Sequence, residues 1–183
     1  MEREKTFVQE LCEILVRHNV LSTDDITKVH ESFEESSITE FDNFLIDEGL
    51  VDREYVLAAL SEYYHVPYFD MEGFFFNSFL LHKFPKDFLL RHLIIPLSVD
   101  DDILIMVAAN PNYPGLESLC RTYVSYDVNF WVGIGTDVIG TVEEYYDESL
   151  TEVDIHADDP MYERHEQDEY RALLTETDEE DEL

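Results

Sequence analysis

The chain has 183 residues, 45% hydrophobic and 13% aromatic, a composition that supports a packed core and excludes a wholly unfolded protein. Forty-three acids against eleven bases leave a net charge of −32, a field that repels nucleic acid and anionic membrane surfaces and favours basic partners. Apolar runs such as Phe74 to Phe76 and Ile103 to Ala109 fall far short of the ~18 residues that a membrane span requires.

The opening, Met1 to Thr6, carries a charge every few residues and reads as the start of a helix rather than a secretory leader. Residues 4 to 18 place Phe7, Val8, Leu11, Ile14, Leu15 and Val16 at helical spacing, and Asn19 suits the left-handed residue that ends a helix. Ser22 or Thr23 caps a second helix, 24 to 35, with Ile26, Val29, His30 and Phe33 on its apolar stripe. Phe41, Phe44, Leu45 and Ile46 form a third helix closed by Gly49. Asp52 caps a fourth, 54 to 64, with Tyr55, Val56, Ala59, Leu60 and Tyr63 inward. Leu11 to Ser22 aligns with Phe41 to Asp52 at an offset of thirty residues, so one helical hairpin is used twice. A single hairpin cannot bury its own apolar stripe, and two packed together are the minimal solution. Ile14, Leu15, Phe44 and Leu45 should then share one interior.

After Tyr64 the pattern changes. Val66 to Asp70 reads as extended chain around Pro67. The aromatic stretch 74 to 84 holds at most one helical turn, and Pro85 opens a short helix through His92. Leu93 to Val99 and Ile103 to Ala109 form a hairpin around Asp100, Asp101 and Asp102. Leu116 to Tyr123 is helical with Leu116, Leu119 and Cys120 on one side. Tyr126 to Val132 alternates as a strand, and Gly135 to Tyr146 closes with a helix. The fold class is therefore α+β, a four-helix subdomain of two hairpins (1–65) followed by a small α/β sheet subdomain (66–148). Residues 149–183 lose hydrophobic spacing and form an acidic tail expected to be mostly disordered, with one marginal helix over 161 to 174. From Asp147 onward sixteen acids face two bases.

Signals for catalysis are missing. The glycine group Gly133, Gly135 and Gly140 sits between strand and helix, where phosphate can bind, but it lacks the lysine of a P-loop and Asp137 would face the anion. It reads as a strand-to-helix turn. The seven histidines show no paired metal spacing. Asp154 to Asp159 offers at most opportunistic cation binding, and Asp100 to Asp102 fits a hairpin turn better than a calcium loop. Cys12 and Cys120 read as buried thiols of a reducing compartment, and the expected location is cytoplasmic. The chain is expected to be no enzyme, with no cofactor and no metal. One surplus stands out: Tyr63, Tyr64, Tyr68, Phe69 and Phe74 to Phe76, which form either the core joining the two halves or an exposed docking patch.

The doubled hairpin resembles the amino-terminal domain of type II secretion and type IV pilus assembly ATPases, the GspE N-terminal or MshEN-like family. The resemblance is carried by Leu15-Val16 with Asn19, by Leu45-Ile46 with Gly49, and by Pro67-Tyr68-Phe69-Asp70. It continues through Pro85-Lys86-Asp87-Phe88, Ile95-Pro96-Leu97, Ala108-Ala109-Asn110-Pro111 and Tyr145-Tyr146, spanning about residues 7 to 148. It implies a helical subdomain and a small α/β subdomain acting as a docking or regulatory module, without the P-loop ATPase portion. In that family such domains bind the cytoplasmic part of a membrane platform protein, and some members bind cyclic di-GMP through an R-L-G-x-x-L-V-x-x-G…L-x-x-x-L-x-x-Q pattern in each hairpin. In this chain the arginine places hold Glu10 and Glu40, the first glycines are Cys12 and Asp42, and the later ones are Asn19 and Gly49. The glutamines are Phe33 and Tyr63. Negative charge beside phosphate and side chains in place of glycine leave the hydrophobic frame without its dinucleotide site. The resulting expectation is a non-enzymatic adaptor of a secretion, pilus or signalling assembly, with a basic protein partner, no nucleic acid and no membrane insertion. A degenerate cyclic di-GMP receptor and an acidic decoy of a basic partner are the alternatives.

Overall fold

The computed structural model describes residues 5–147. The expectations for the acidic tail, its marginal helix and Asp154 to Asp159 lie outside these residues. Of these, residues up to Glu144 form one compact unit, and Tyr145 to Asp147 fall outside it.

Four helices come first. α1 (Phe7–Arg17) starts in a capping box, where Thr6 Oγ1 accepts from the Gln9 amide and Gln9 Oε1 accepts from the Thr6 amide. At the head of α2 (Thr23–Glu35), Asp25 accepts from both the amide and the hydroxyl of Ser22. α3 (Phe41–Asp47) and α4 (Arg53–Tyr64) repeat the arrangement. The two hairpins turn alike to the level of single hydrogen bonds. Asn19 has φ 59° and its amide donates to the Val16 carbonyl at 2.9 Å; Gly49 has φ 64° and donates to the Ile46 carbonyl at 2.9 Å. Val20 and Leu50 then reach back to Leu15 and Leu45, both at 2.9 Å. A left-handed residue lets the following amides satisfy carbonyls that the helix end leaves open.

Leu11, Ile14, Leu15, Phe41, Phe44, Leu45, Val56 and Leu60 are all buried in one cluster, so the anticipated shared interior is present. α4 packs against both α1 and α3 and also touches the sheet. Each of these apolar side chains contributes roughly 1.5–3 kcal/mol by leaving water. The cluster does not stop at the helices. Val132 and Ile134 belong to it as well.

The second half begins with α5 (Ser78–Leu81) and α6 (Lys86–His92), followed by β1 (Ile94–Asp100) and β2 (Ile103–Ala108). β1 and β2 pair antiparallel through a turn in which Asp101 and Asp102 take φ 44° and 65°. Positive φ at both central residues matches the right-handed twist of the strands, and aspartate tolerates it better than most side chains. α7 (Leu116–Cys120) carries the chain across so that β3 (Asp127–Val132) pairs parallel with β2, giving the order β1-β2-β3. Pro67 to Phe69 lies along the far side of β3: the Val132 amide donates to Pro67 and the Phe69 amide to Val132, at 2.8 and 2.9 Å. α8 (Gly135–Tyr145) closes the described chain.

Three local expectations change. Tyr55 is 49% exposed rather than inward, because the buried face of α4 runs through Val56, Leu57, Ala59 and Leu60. α7 ends at Cys120 instead of Tyr123, and Leu119 is exposed while Leu116 and Cys120 are buried. The aromatic surplus divides: Phe76 is buried and Phe69 half-buried, whereas Tyr68, Phe74 and Phe75 are exposed, Phe75 to 90%.

Candidate functional site

The eight positions singled out in the doubled hairpin separate into two groups. Cys12 is fully buried under α1, and burial alone pushes its thiol up to about 11. Glu10 is half-buried in the first turn of the same helix. Asn19 and Gly49 hold the two turns. Tyr63 packs edge-on against Phe7 and Tyr64, with ring centroids 5.0 and 4.8 Å apart. None of these five lines the cleft that gathers the other three.

That cleft has a volume of about 280 Å³ and is walled by Phe33 of α2, by Glu40, Phe41 and Asp42 at the head of α3, and by Phe7 and Tyr64. Leu93, Ala109, Asn110 and Gly135 complete it from the sheet half. Phe33 stands 5.0 Å from Phe41 and 5.1 Å from Phe44, centroid to centroid, so its position is fixed by the core beneath. Glu40 is the exposed N-cap residue of α3, and its carboxylate accepts from the Thr39 hydroxyl at 2.5 Å. Asp42 is half-buried. Desolvation holds its pKa above the usual carboxylate range against the backbone amides of Asn43 and Asp42, and the charges that act on it, Glu40 and Asp137, are both negative. Tyr64 is pushed up to about 12 by burial, with Tyr63 and Asp42 adding to it. The cleft is thus aromatic in its walls and anionic at its rim.

Sequence reasoning named Phe33, Glu40 and Asp42 but missed Phe7, Phe41 and Tyr64 as their companions. Tyr64 and Phe7 read there only as core or surplus aromatics. The contribution of Asn110 has a visible trace in the Ala108-Ala109-Asn110-Pro111 run.

A second polar cluster joins the halves. Arg53, in the first turn of α4, donates from Nε to Asp70 Oδ1 at 2.8 Å and from its terminal nitrogens to both carboxylate oxygens of Asp137. Burial works against the guanidinium charge, but the hydrogen bonds from Asp137 and Asp70 outweigh it and raise its pKa. Asp137 sits at the head of α8 and is therefore occupied. The neighbouring glycines are packing residues: a Cβ on Gly133 would collide with Val107 Cγ1, and one on Gly135 would lie 3.3 Å from Ala109 Cβ. Their spacing serves close approach of strand and helix.

At the far end of the hairpins, Glu62 accepts from Arg17 at 2.5 Å and meets His18 Nε2 at 2.6 Å, fastening α1 to α4. The hydrogen bond from His18 leads the causes that lower the Glu62 pKa. His30 lies against Phe41 as a boundary residue, 6.4 Å between centroids. Among the described residues no three His, Cys, Asp or Glu side chains group to hold a metal, and no helix is long and apolar enough to cross a membrane.

Known proteins place this architecture. The MshEN domain family matches residues 64–152. The type IV pilus assembly ATPase PilB of Myxococcus xanthus (strain DK1622) is 23% identical over 138 residues, which are 75% of this chain and 24% of PilB, so the chain spans about a quarter of that relative. The structure of MshE with cdg superposes with a TM-score of 0.56 at 16% identity, covering 79% of this chain and 100% of that one. The N-terminal domain of XpsE gives a TM-score of 0.52 at 18% identity, again covering 79% and 100%. At such identities the likeness concerns the fold. The MshEN match over residues 64–152, the similarity to part of PilB and the fold shared with MshE and the N-terminal domain of XpsE agree on what this chain is similar to.

Proposed function

We propose that this chain is a non-enzymatic, cytoplasmic docking module of a secretion, type IV pilus or signalling assembly. It engages a protein partner through its helical half. The observation that carries this reading is an intact frame with reversed chemistry. Both hairpins keep their left-handed turns and common core, while Cys12 is sealed in that core and Glu40 and Asp42 turn the one cleft among these positions negative. The MshE match was solved with cdg. A dinucleotide of that kind carries phosphates, which two carboxylates repel and which find no cation among the residues walling the cleft. All eight positions in question, Glu10 to Tyr63, precede the stretch matched by the MshEN family, which starts at residue 64. The sixteen acids among residues 147–183 would steer a basic partner toward the module and speed encounter.

Three measurements test the reading. Calorimetry with cyclic di-GMP should give no binding tighter than ~10 μM; tighter binding overturns it in favour of a working second-messenger receptor. Affinity purification of the full chain from its own cells should enrich a component of a secretion, pilus or signalling assembly. Enrichment of none would count as failure. Deleting residues 150–183 should slow association without abolishing it, whereas complete loss would mean that the tail alone is the binding element.

A further inference from the structure

We infer that the cleft between α2, α3 and the sheet half receives an arginine side chain from the protein partner. The inference rests on the docking reading above and names the chemistry by which docking is achieved. The cleft of about 280 Å³ suits a side chain better than a whole peptide, and its composition selects among side chains. Phe7, Phe33, Phe41 and Tyr64 supply aromatic faces, and Glu40 and Asp42 supply carboxylates on one margin. A planar guanidinium uses both at once, stacking on rings while donating to carboxylate oxygens in a fork. An ammonium is compact and strongly hydrated and would lose more solvation in the same place.

The charge state of the cleft supports this. Asp42 accepts from the backbone amides of Asn43 and Asp42, but the charges that act on it, Glu40 and Asp137, are both negative, and no cation is among the residues walling the cleft. Arg53, the cation bonded to Asp137, is committed to Asp137 and Asp70. An arriving guanidinium would supply a countercharge and return the Asp42 pKa toward or below its ordinary range. Glu40 keeps one carboxylate oxygen engaged by Thr39, which orients the group at the helix head without neutralising it. Apolar or anionic side chains would gain nothing from these two acids.

The test uses the full chain, isotope-labelled, titrated with a short arginine-containing peptide blocked at both ends and with the same peptide carrying citrulline. Arginine peptide should move the amide signals of Phe33, Thr39 to Asp42 and Tyr64 in a saturable way, and citrulline should weaken the effect at least tenfold. Glu40→Gln with Asp42→Asn, both isosteric and outside the buried core, should weaken arginine binding at least tenfold while leaving the remaining spectrum folded. Shifts confined to residues 147–183, or equal response in the double variant, would overturn the inference. The same double variant in affinity purification separates the two levels. Retained capture of the partner at wild-type yield sinks the arginine cleft and spares docking, whereas absence of any such partner from the wild type sinks docking itself.

Discussion

Arg53 and Asp137 lie 84 positions apart in the chain and meet as a two-pronged ion pair, with Asp70 closing the third side of the guanidinium. The pair joins the head of α4 to the head of α8. Two helix N-termini face it, each favouring the carboxylates over the cation. With side-chain exposures of 21% and 25% the pair is shielded enough to matter for stability. Arg53→Met should lower the unfolding free energy by about 2 kcal/mol, the scale of charge-assisted hydrogen bonds lost together. Asp70→Asn should cost under ~1 kcal/mol, since that side is open to solvent. Urea denaturation midpoints at constant slope would measure both.

The two left-handed turns make opposite predictions for single substitutions. Asn19→Gly removes a side chain from a φ that most residues avoid and should change stability by only a few tenths of a kcal/mol. Gly49→Ala places a Cβ at φ 64° and should destabilise by about 1 kcal/mol, although nothing lies within 4 Å to clash with it. Thermal unfolding of the two variants, side by side, checks that the cost is backbone strain.

Gly133→Ala tests packing instead. The added methyl meets Val107 Cγ1 on β2, and the Phe69 carbonyl is 3.4 Å away, so neither side can yield freely. A loss of about 1–3 kcal/mol is expected. Val107→Ala in the same chain should recover part of it, because it removes the colliding carbon.

Asp42 gives a pH signature. Its folded pKa is raised, so the folded protein holds that proton more tightly than the unfolded chain, and the ionised group weakens the fold above the folded pKa. Asp42→Asn should therefore be more stable than the wild type at pH 7. The advantage should shrink as pH falls through the raised value and vanish below the ordinary aspartate range. Denaturation curves collected from pH 3 to 8 would show equal gaps at every pH if this account were wrong.

Both thiols are pushed up to about 11, Cys12 by burial and Cys120 by burial with a contribution from Glu117. A thiol that is neither ionised nor accessible reacts slowly. A disulfide reagent at pH 8 should label the folded chain over hours and the urea-unfolded chain within minutes.

Much of this fold was legible because its signals are local. The hairpin repeat shows in the thirty-residue offset, the turns in Asn19 and Gly49, and the β1–β2 connection in Asp101 and Asp102. Tyr55 was misplaced because an aromatic side chain at helical spacing looks inward whichever way the helix is rotated, and only the packing of α4 on its neighbours fixes that rotation. The exposed Phe75 beside the buried Phe76 falls in a stretch with no period to distinguish faces. The cleft was half visible. Phe33, Glu40 and Asp42 stood out as departures from a pattern, but Phe7 and Asn110 reach them only through tertiary closure, and no spacing encodes that.

Val132 carries an implication for anyone wishing to dissect this molecule. It pairs with Pro67 and Phe69 on one side and Ala108 on the other, and its side chain sits among the residues that unite the twin hairpins. A fragment ending near residue 65 would leave that greasy interior uncovered along one flank, and should self-associate or refuse to fold. The smallest autonomous piece therefore has to extend from the Thr6 cap at least through β3.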